Sequence, residues 1–158
     1  MKIKFLVEED FVNYKKPSMF IGFPNCTWKC EKECGEEMCH NKSLAHSPTI
    51  DAEYEDIVRR YIENPISQAI VFGGLEPFDS WEDIANLVQE FRKHTEDMII
   101  IYSGYYESEI NWEIEYLRQN YNNIIIKYGR FKPNKPHIFD ETLGIKLASD
   151  NQYAEQIC

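Results

Sequence analysis

Residues 19–41 read MFIGFPNCTWKCEKECGEEMCHN. The stretch opens on a short apolar run, Met19 to Phe23, that predicts a strand. It passes directly into a segment holding four of the chain's five cysteines, Cys26, Cys30, Cys34 and Cys39. Thiolates gathered on one strand-to-loop segment can hold a metal ion or an iron–sulfur cluster without help from distant parts of the chain. A strand whose carboxyl end opens into a ligand-bearing loop is the arrangement of parallel α/β sheets, where functional residues gather at the carboxyl ends of strands.

Outward from this stretch, strands and helices alternate. Lys2 to Val7 and Ser18 to Phe23 predict strands joined by a polar turn around Asn13 to Pro17. Asp51 to Glu63 repeats apolar residues at helical spacing, with Tyr54, Ile57, Val58, Tyr61 and Ile62 on one face, Asp51 as its cap and Pro65 past its end. Gln68 to Phe72 reads as a buried strand, and Ser80 caps a second helix with the stripe Ile84, Leu87, Val88 and Phe91. Met98 to Tyr102 predicts another buried strand. Glu107 to Tyr121 follows as a helix with Ile110, Ile114, Leu117 and Tyr121 on one side, and Ile124 to Lys127 as a last short apolar strand. Such alternation predicts βαβ units and a mainly parallel sheet, an α/β fold. Three signals fall at strand ends: the cysteine loop (residues 24–41), Gly73-Gly74-Leu75-Glu76-Pro77 (residues 73–77), and Ser103-Gly104-Tyr105. No repeat, linker or low-complexity tract interrupts this order, so residues 1–158 are expected to form a single domain.

Composition narrows the function classes. The 158 residues are 43% hydrophobic and 14% aromatic, enough for a core and incompatible with disorder. Lys and Arg number 17 against 27 Asp and Glu, a net charge of −10. Such a surface repels phosphate backbones and anionic membranes, so neither nucleic acid nor membrane is expected as a partner. Lys2, Lys4, Glu8, Glu9 and Asp10 place charge throughout the first residues, where neither a signal peptide nor a membrane span is expected. The expected compartment is the cytoplasm, where clustered cysteines bind metal or do redox chemistry rather than form disulfides. Cys158 stands far from the cluster in sequence and is expected to be a free thiol.

Four cysteines suffice for a closed structural zinc shell. Zinc sites usually draw two short pairs from separate knuckles, however, and the spacings here are three, three and four intervening residues. A cubane cluster, whose irons sit at separate corners, accepts this spacing better. Three thiolates would leave one iron open to a small molecule, an arrangement suited to catalysis.

Several short stretches carry a specific resemblance. Cys26-Thr27-Trp28-Lys29-Cys30 resembles the first half of the C-x3-C-x2-C signature of radical S-adenosylmethionine (SAM) enzymes. Cys39-His40-Asn41 resembles the end of that motif in the activating proteins of anaerobic (class III) ribonucleotide reductases. Gly73-Gly74-Leu75-Glu76-Pro77 is similar to the superfamily's glycine-rich loop. Ile101-Tyr102-Ser103-Gly104-Tyr105 and Gly144 to Gln152 are similar to two further segments of the same activating proteins. The matches occur in order and span residues 20 to 152.

The resemblance implies cluster ligation by Cys26, Cys30 and Cys39. Between Cys30 and Cys39 lie eight residues where the signature has two. The insertion is largely charged and is expected to form a loop pushed into solvent. Cys34 lies inside it as the rival third ligand. The resemblance also implies contacts to SAM from Gly73, Gly74, Glu76 (to the ligand's amino group), Pro77, Ser103, Met38 (near the adenine) and Asn151. Taken alone, the glycine pair is equally a tight turn, and Ser103 equally a turn residue bonded to local backbone.

What the family does then defines the expected activity. A reduced 4Fe–4S cluster gives one electron to the sulfonium of SAM, leaving methionine and a 5′-deoxyadenosyl radical that takes a hydrogen atom from the next substrate. In the activating proteins that substrate is a glycine Cα of a large glycyl radical enzyme. The implied partners are the large subunit of an anaerobic ribonucleotide reductase and an electron donor of the flavodoxin or ferredoxin type. The implied fold is an incomplete parallel β/α barrel of the radical SAM type, since a complete one needs about 250 residues. Two alternatives stand beside this reading: activation of another glycyl radical enzyme, and a zinc- or iron–sulfur-binding module without catalysis.

Overall fold

Phe23, Gly74, Tyr102 and Tyr128 end four neighbouring parallel strands on one edge of the sheet, so the loops that follow them meet. The computed structural model describes every residue except Glu36 and Met38; the implied adenine contact of Met38 therefore lies outside the described residues. In chain order the elements are β1 (Lys2–Ile3), β2 (Phe5–Asp10), β3 (Ser18–Phe23), α1 (Lys29–Cys34), α2 (Lys42–His46), β4 (Ile50–Asp51), α3 (Tyr54–Glu63) and β5 (Ala69–Gly74). Then follow α4 (Trp81–Arg92), β6 (Met98–Tyr102), α5 (Asn111–Asn120), β7 (Ile124–Tyr128), β8 (Ile138–Asp140), β9 (Ile145–Leu147) and β10 (Tyr153–Gln156).

One six-stranded sheet has the order β10-β7-β6-β5-β3-β2. Strands β3, β5, β6 and β7 run parallel, while β2 and β10 pair antiparallel at the two edges. The fold is thus mixed α/β, and the sheet is open and does not close into a barrel. Two small ribbons, β1–β4 and β8–β9, lie outside it.

Period-two alternation divides the central strands between two cores. Met19, Ile21, Phe23, Ile70, Phe72, Ile99, Ile101, Ile124 and Ile126 join the apolar faces of α3, α4 and α5. On the other face Ala69, Val71, Ile100 and Ile125 meet Tyr14, Leu143 and Leu147. Strands buried on both faces read as continuous apolar runs, which is why these four were visible in the sequence. Burying each large side chain contributes roughly 1.5–3 kcal/mol, and the helix side holds most of them, including Phe91, Leu87 and Ile84.

Several local expectations are corrected. Asp51 does not cap a helix: it lies in β4 opposite Lys2, whose ammonium reaches it at 2.7 Å, and α3 starts at Tyr54. Ile62 is 49% exposed and stands off the buried face of Ile57, Val58 and Tyr61. Ser80 does occupy the N-cap of α4, yet its hydroxyl accepts a 2.9 Å bond from the Asn25 amide and makes no cap bond. The expected strand from Lys2 to Val7 breaks at Lys4 into β1 and β2. The helix expected from Glu107 splits into a 3-10 turn, Glu107–Glu109, and α5.

Candidate functional site

The cysteine segment is built from two short helices and their caps. Trp28 takes a left-handed backbone (φ 59°) at the start of α1, and its amide donates to the Cys26 sulfur at 3.3 Å. Cys30 lies in the first turn of α1 and Cys34 at its end, where Gly35 (φ 71°) closes the helix. Asn41 donates its backbone N–H to the Cys39 sulfur at 3.4 Å and its side-chain amide to the Gly74 carbonyl at 2.9 Å. Cys26, Cys30 and Cys39 line one cavity of about 390 Å3, and Cys34 is not among its lining residues. The charged insertion is exposed at Lys32, Glu33, Gly35 and Glu37, as expected, but it is not loop throughout. Its first half is helical, with Glu31 accepting from the Cys39 amide at 3.1 Å and Glu33 3.0 Å from Arg130. Long-range ion pairs draw this charged segment back onto the fold.

The glycine segment forms the adjoining wall. Gly74 has φ 86°, and a Cβ there would stand 2.8 Å from the Gly22 Cα, so strand β3 leaves no room for one. The space above Gly73 is taken by the Phe20 ring, 2.7 Å from where a Cβ would be, so this glycine serves packing inside the cavity. Glu76 is buried, and its carboxylate accepts from the Ser103 hydroxyl (2.8 Å), the Gly104 amide (2.8 Å) and the Phe78 amide (3.2 Å). Pro77 opens the 3-10 turn before α4 and does not line the cavity. Gly104 packs between cysteine and carboxylate: a Cβ there would meet Cys30 Sγ at 3.2 Å and Glu76 Oε2 at 3.5 Å.

A fourth wall was missed in the sequence. Lys127 is buried at the end of β7, its ammonium donating to the carbonyls of Ser103 (3.3 Å) and Gly129 (3.0 Å). Gly129, Phe131 and Gln152 also line the cavity. The strand from Ile124 was visible, and the rule that sites gather at strand carboxyl ends would have found Gly129 to Phe131. Asn151 does not line the cavity. Its amide donates to the Arg130 carbonyl at 2.8 Å, while the neighbouring Gln152 holds the Gly129 carbonyl at 3.1 Å.

The electrostatics follow burial. Burial pushes the Cys26 thiol up to about 11 against the Trp28 amide, and raises Cys30 against the Phe131 amide and the Arg130 charge. These thiols stay protonated at neutral pH, so metal must displace their protons on binding. Burial likewise raises the Glu76 carboxyl to about 7 and lowers the Lys127 ammonium to about 8. Among the described residues no three His, Cys, Asp or Glu are grouped tightly enough to hold one metal ion. A tetrahedral zinc would need thiolates roughly 3.8 Å apart. Three thiols spread around one cavity, Cys26 and Cys39 each taking a backbone N–H, fit the wider corners of an iron–sulfur cluster, whose sulfurs accept such bonds.

A family model described as a 4Fe–4S single cluster domain matches residues 18–152. The chain belongs to this 4Fe–4S single cluster family. The match runs from β3, ahead of the cysteine segment, to Gln152 on the cavity wall, so it takes in every wall described above. A 4Fe–4S cluster is the cofactor that membership in the single cluster family supports. No curated protein and no solved structure matches the chain significantly. Among the described residues no helix is long and apolar enough to cross a membrane.

Proposed function

We propose that the chain is a radical SAM activase. Its 4Fe–4S cluster would be held by Cys26, Cys30 and Cys39, and its product would be a glycyl radical on a partner enzyme, the anaerobic ribonucleoside-triphosphate reductase. The observation that carries this reading is the convergence of three cysteines, Gly73 to Glu76 and Ser103–Gly104 on one cavity at the carboxyl edge of the sheet. When bound, the reduced cluster supplies the electron that splits SAM into methionine and a 5′-deoxyadenosyl radical, which takes a hydrogen atom from the partner's glycine.

The chain's own residues match the amino-acid end of SAM. A carboxylate has about four acceptor positions. Glu76 Oε1 takes two donors and Oε2 one, which leaves a position on Oε2 for an ammonium group. Lys127 uses two of its three N–H groups on backbone carbonyls and keeps one for a carboxylate. The rings of Phe5, Phe20 and Phe131 line the same cavity and would exclude water from the reacting atoms.

We read the open sheet as an incomplete parallel β/α barrel of the radical SAM type, in a single domain, whose cavity at the carboxyl edge would admit a glycine-bearing loop of the partner. A flavodoxin- or ferredoxin-type protein would deliver the electron. The test is anaerobic reconstitution with iron and sulfide, dithionite reduction and addition of SAM. The expected result is a 4Fe–4S paramagnetic resonance signal that shifts on SAM addition, with 5′-deoxyadenosine released. A cluster that ignores SAM and releases no 5′-deoxyadenosine would make the chain a non-catalytic iron–sulfur module. Radical transfer to another glycyl radical enzyme and not to the reductase would change the partner alone.

A further inference from the structure

Cys30 and Cys39 line the same cavity although eight residues separate them. The chain leaves Cys30 along α1, ends that helix at Gly35 and must return before Cys39 can face the other thiols. Where a two-residue spacing needs three steps along the chain, this one needs nine, which makes the meeting of its ends roughly fivefold rarer. Lys32, Glu33, Gly35 and Glu37 of this excursion are exposed, but the Glu31 side chain is only 18% exposed. A Glu at the third position of a helix ordinarily turns back to the N–H of the capping residue, here Trp28. The Cys26 sulfur takes that N–H, and Glu31 reaches forward instead: its Oε1 accepts the Cys39 amide at 3.1 Å. Lys42, in the first turn of α2, sets its ammonium 3.5 Å from the same oxygen and 2.7 Å from Glu37.

We infer that Glu31 is a positioning residue: its bond to the Cys39 amide closes the excursion and brings Cys39 to Cys26 and Cys30 as third cluster ligand, in place of a short spacing. A hydrogen bond with one charged partner is worth on the order of tenfold or more, which exceeds the loss from the longer ring. Lys42 pairs with the carboxylate and offsets the cost of covering its charge. On the other flank the Asn41 amide ties the segment to the Gly74 carbonyl at 2.9 Å. Cys34 rides at the far end of α1 and is not among the residues lining the cavity. A carboxylate that merely stabilised the fold would matter whatever the spacing. One that closes the excursion matters only while the insertion is there. The inference rests on Cys39 as a cluster ligand and needs no SAM chemistry.

Glu31→Ala and Glu31→Gln in the full chain are compared with the natural sequence, since Gln keeps the accepting oxygen and loses only the charge. In the iron-free protein, deuterium exchange of the Cys39 amide, followed by nuclear magnetic resonance, is expected to speed on the order of tenfold in Glu31→Ala and by about threefold or less in Glu31→Gln. Exchange at Ile99 to Ile101 in the sheet serves as the fold control and stays unchanged in every variant. In reconstituted protein, iron release to bathophenanthroline is expected to follow the same order. The alanine substitution is then repeated in a chain lacking residues 32–37, where two residues separate Cys30 from Cys39, and there it is expected to leave iron release unchanged. Natural Cys39 exchange in Glu31→Ala, iron release in Glu31→Gln as fast as in Glu31→Ala, or an equal alanine effect in the shortened chain overturns the inference. If the natural chain assembles no 4Fe–4S cluster, the cluster assignment fails by itself, and Cys39 exchange still decides the closure.

Discussion

The Ser103 hydroxyl donates a 2.8 Å hydrogen bond to Oε1 of Glu76, joining the carboxyl ends of β5 and β6 inside the cavity wall. Burial lifts the Glu76 carboxyl to about 7 even though the Gly104, Ser103 and Phe78 donors pull the other way; the nearby Asp79 charge adds to the rise. The folded value lies above the usual unfolded value of about 4.3. The protonated carboxyl is the form the fold favours. Its contribution is therefore full below about pH 4.3 and is lost as pH climbs through about 7. Urea unfolding of iron-free protein between pH 4.5 and 8, with Glu76→Gln alongside, should show the stability difference drifting against the natural chain by roughly 1–3 kcal/mol, then levelling. A difference constant with pH would refute the burial effect.

Substitutions at the two loop glycines should differ in cost. Gly74→Ala meets rigid β3 backbone and a positive φ, whereas Gly73→Ala meets only the Phe20 ring, which can turn. The first is expected to cost about 1–3 kcal/mol from backbone strain alone, and the second less. Thermal unfolding of both variants checks the order, and equal losses would mean that β3 yields more than its backbone contact implies.

Cluster content should separate the two candidate third ligands. Cys39 lines the cavity with Cys26 and Cys30, and Cys34 does not. Iron and sulfide analysis after reconstitution is expected to find a full cluster in Cys34→Ala and little in Cys39→Ala. The reverse pattern would move the third ligand into α1.

Lys127→Met should separate binding from folding. The substitution relieves the desolvation that lowers the Lys127 ammonium to about 8, and it gives up two bonds to backbone carbonyls. The opposing effects should leave stability within about 1 kcal/mol of the natural chain near pH 7. The folded value lies below the unfolded one of about 10.4, so the natural chain gains stability from pH 8 to 10.5 and Lys127→Met does not. Anaerobic calorimetry with SAM is expected to show binding lost by about tenfold or more, the loss of one charged hydrogen bond. Undiminished binding would remove Lys127 from the ligand's carboxylate.

The parallel strands were legible because each is covered on both faces and reads as an unbroken apolar run, as Ile99 to Ile101 does. Three of the four cavity walls were legible because their motifs follow such strands directly. What escaped depends on distant partners. Lys29 to Cys34 has no apolar stripe to announce a helix, and its docking rests on Glu33 meeting Arg130 and Lys29 meeting Glu109. Asp51 looked like a cap because Lys2, its actual partner, comes from the other strand of a ribbon. The Gln152 contact is set by where β10 joins the sheet beside β7, a register no local pattern encodes.

Phe131 and Gln152, which wall the cavity opposite the cysteine segment, are both made long after the cysteines they face. At about 5–20 residues per second, ribosomal synthesis leaves the thiols without these neighbours for on the order of ten seconds. During that interval the emerging polypeptide has nowhere dry to put a metal centre. Cluster delivery to this protein therefore waits until the segment through Gln152 has been made, and iron or oxygen arriving earlier meets bare sulfur.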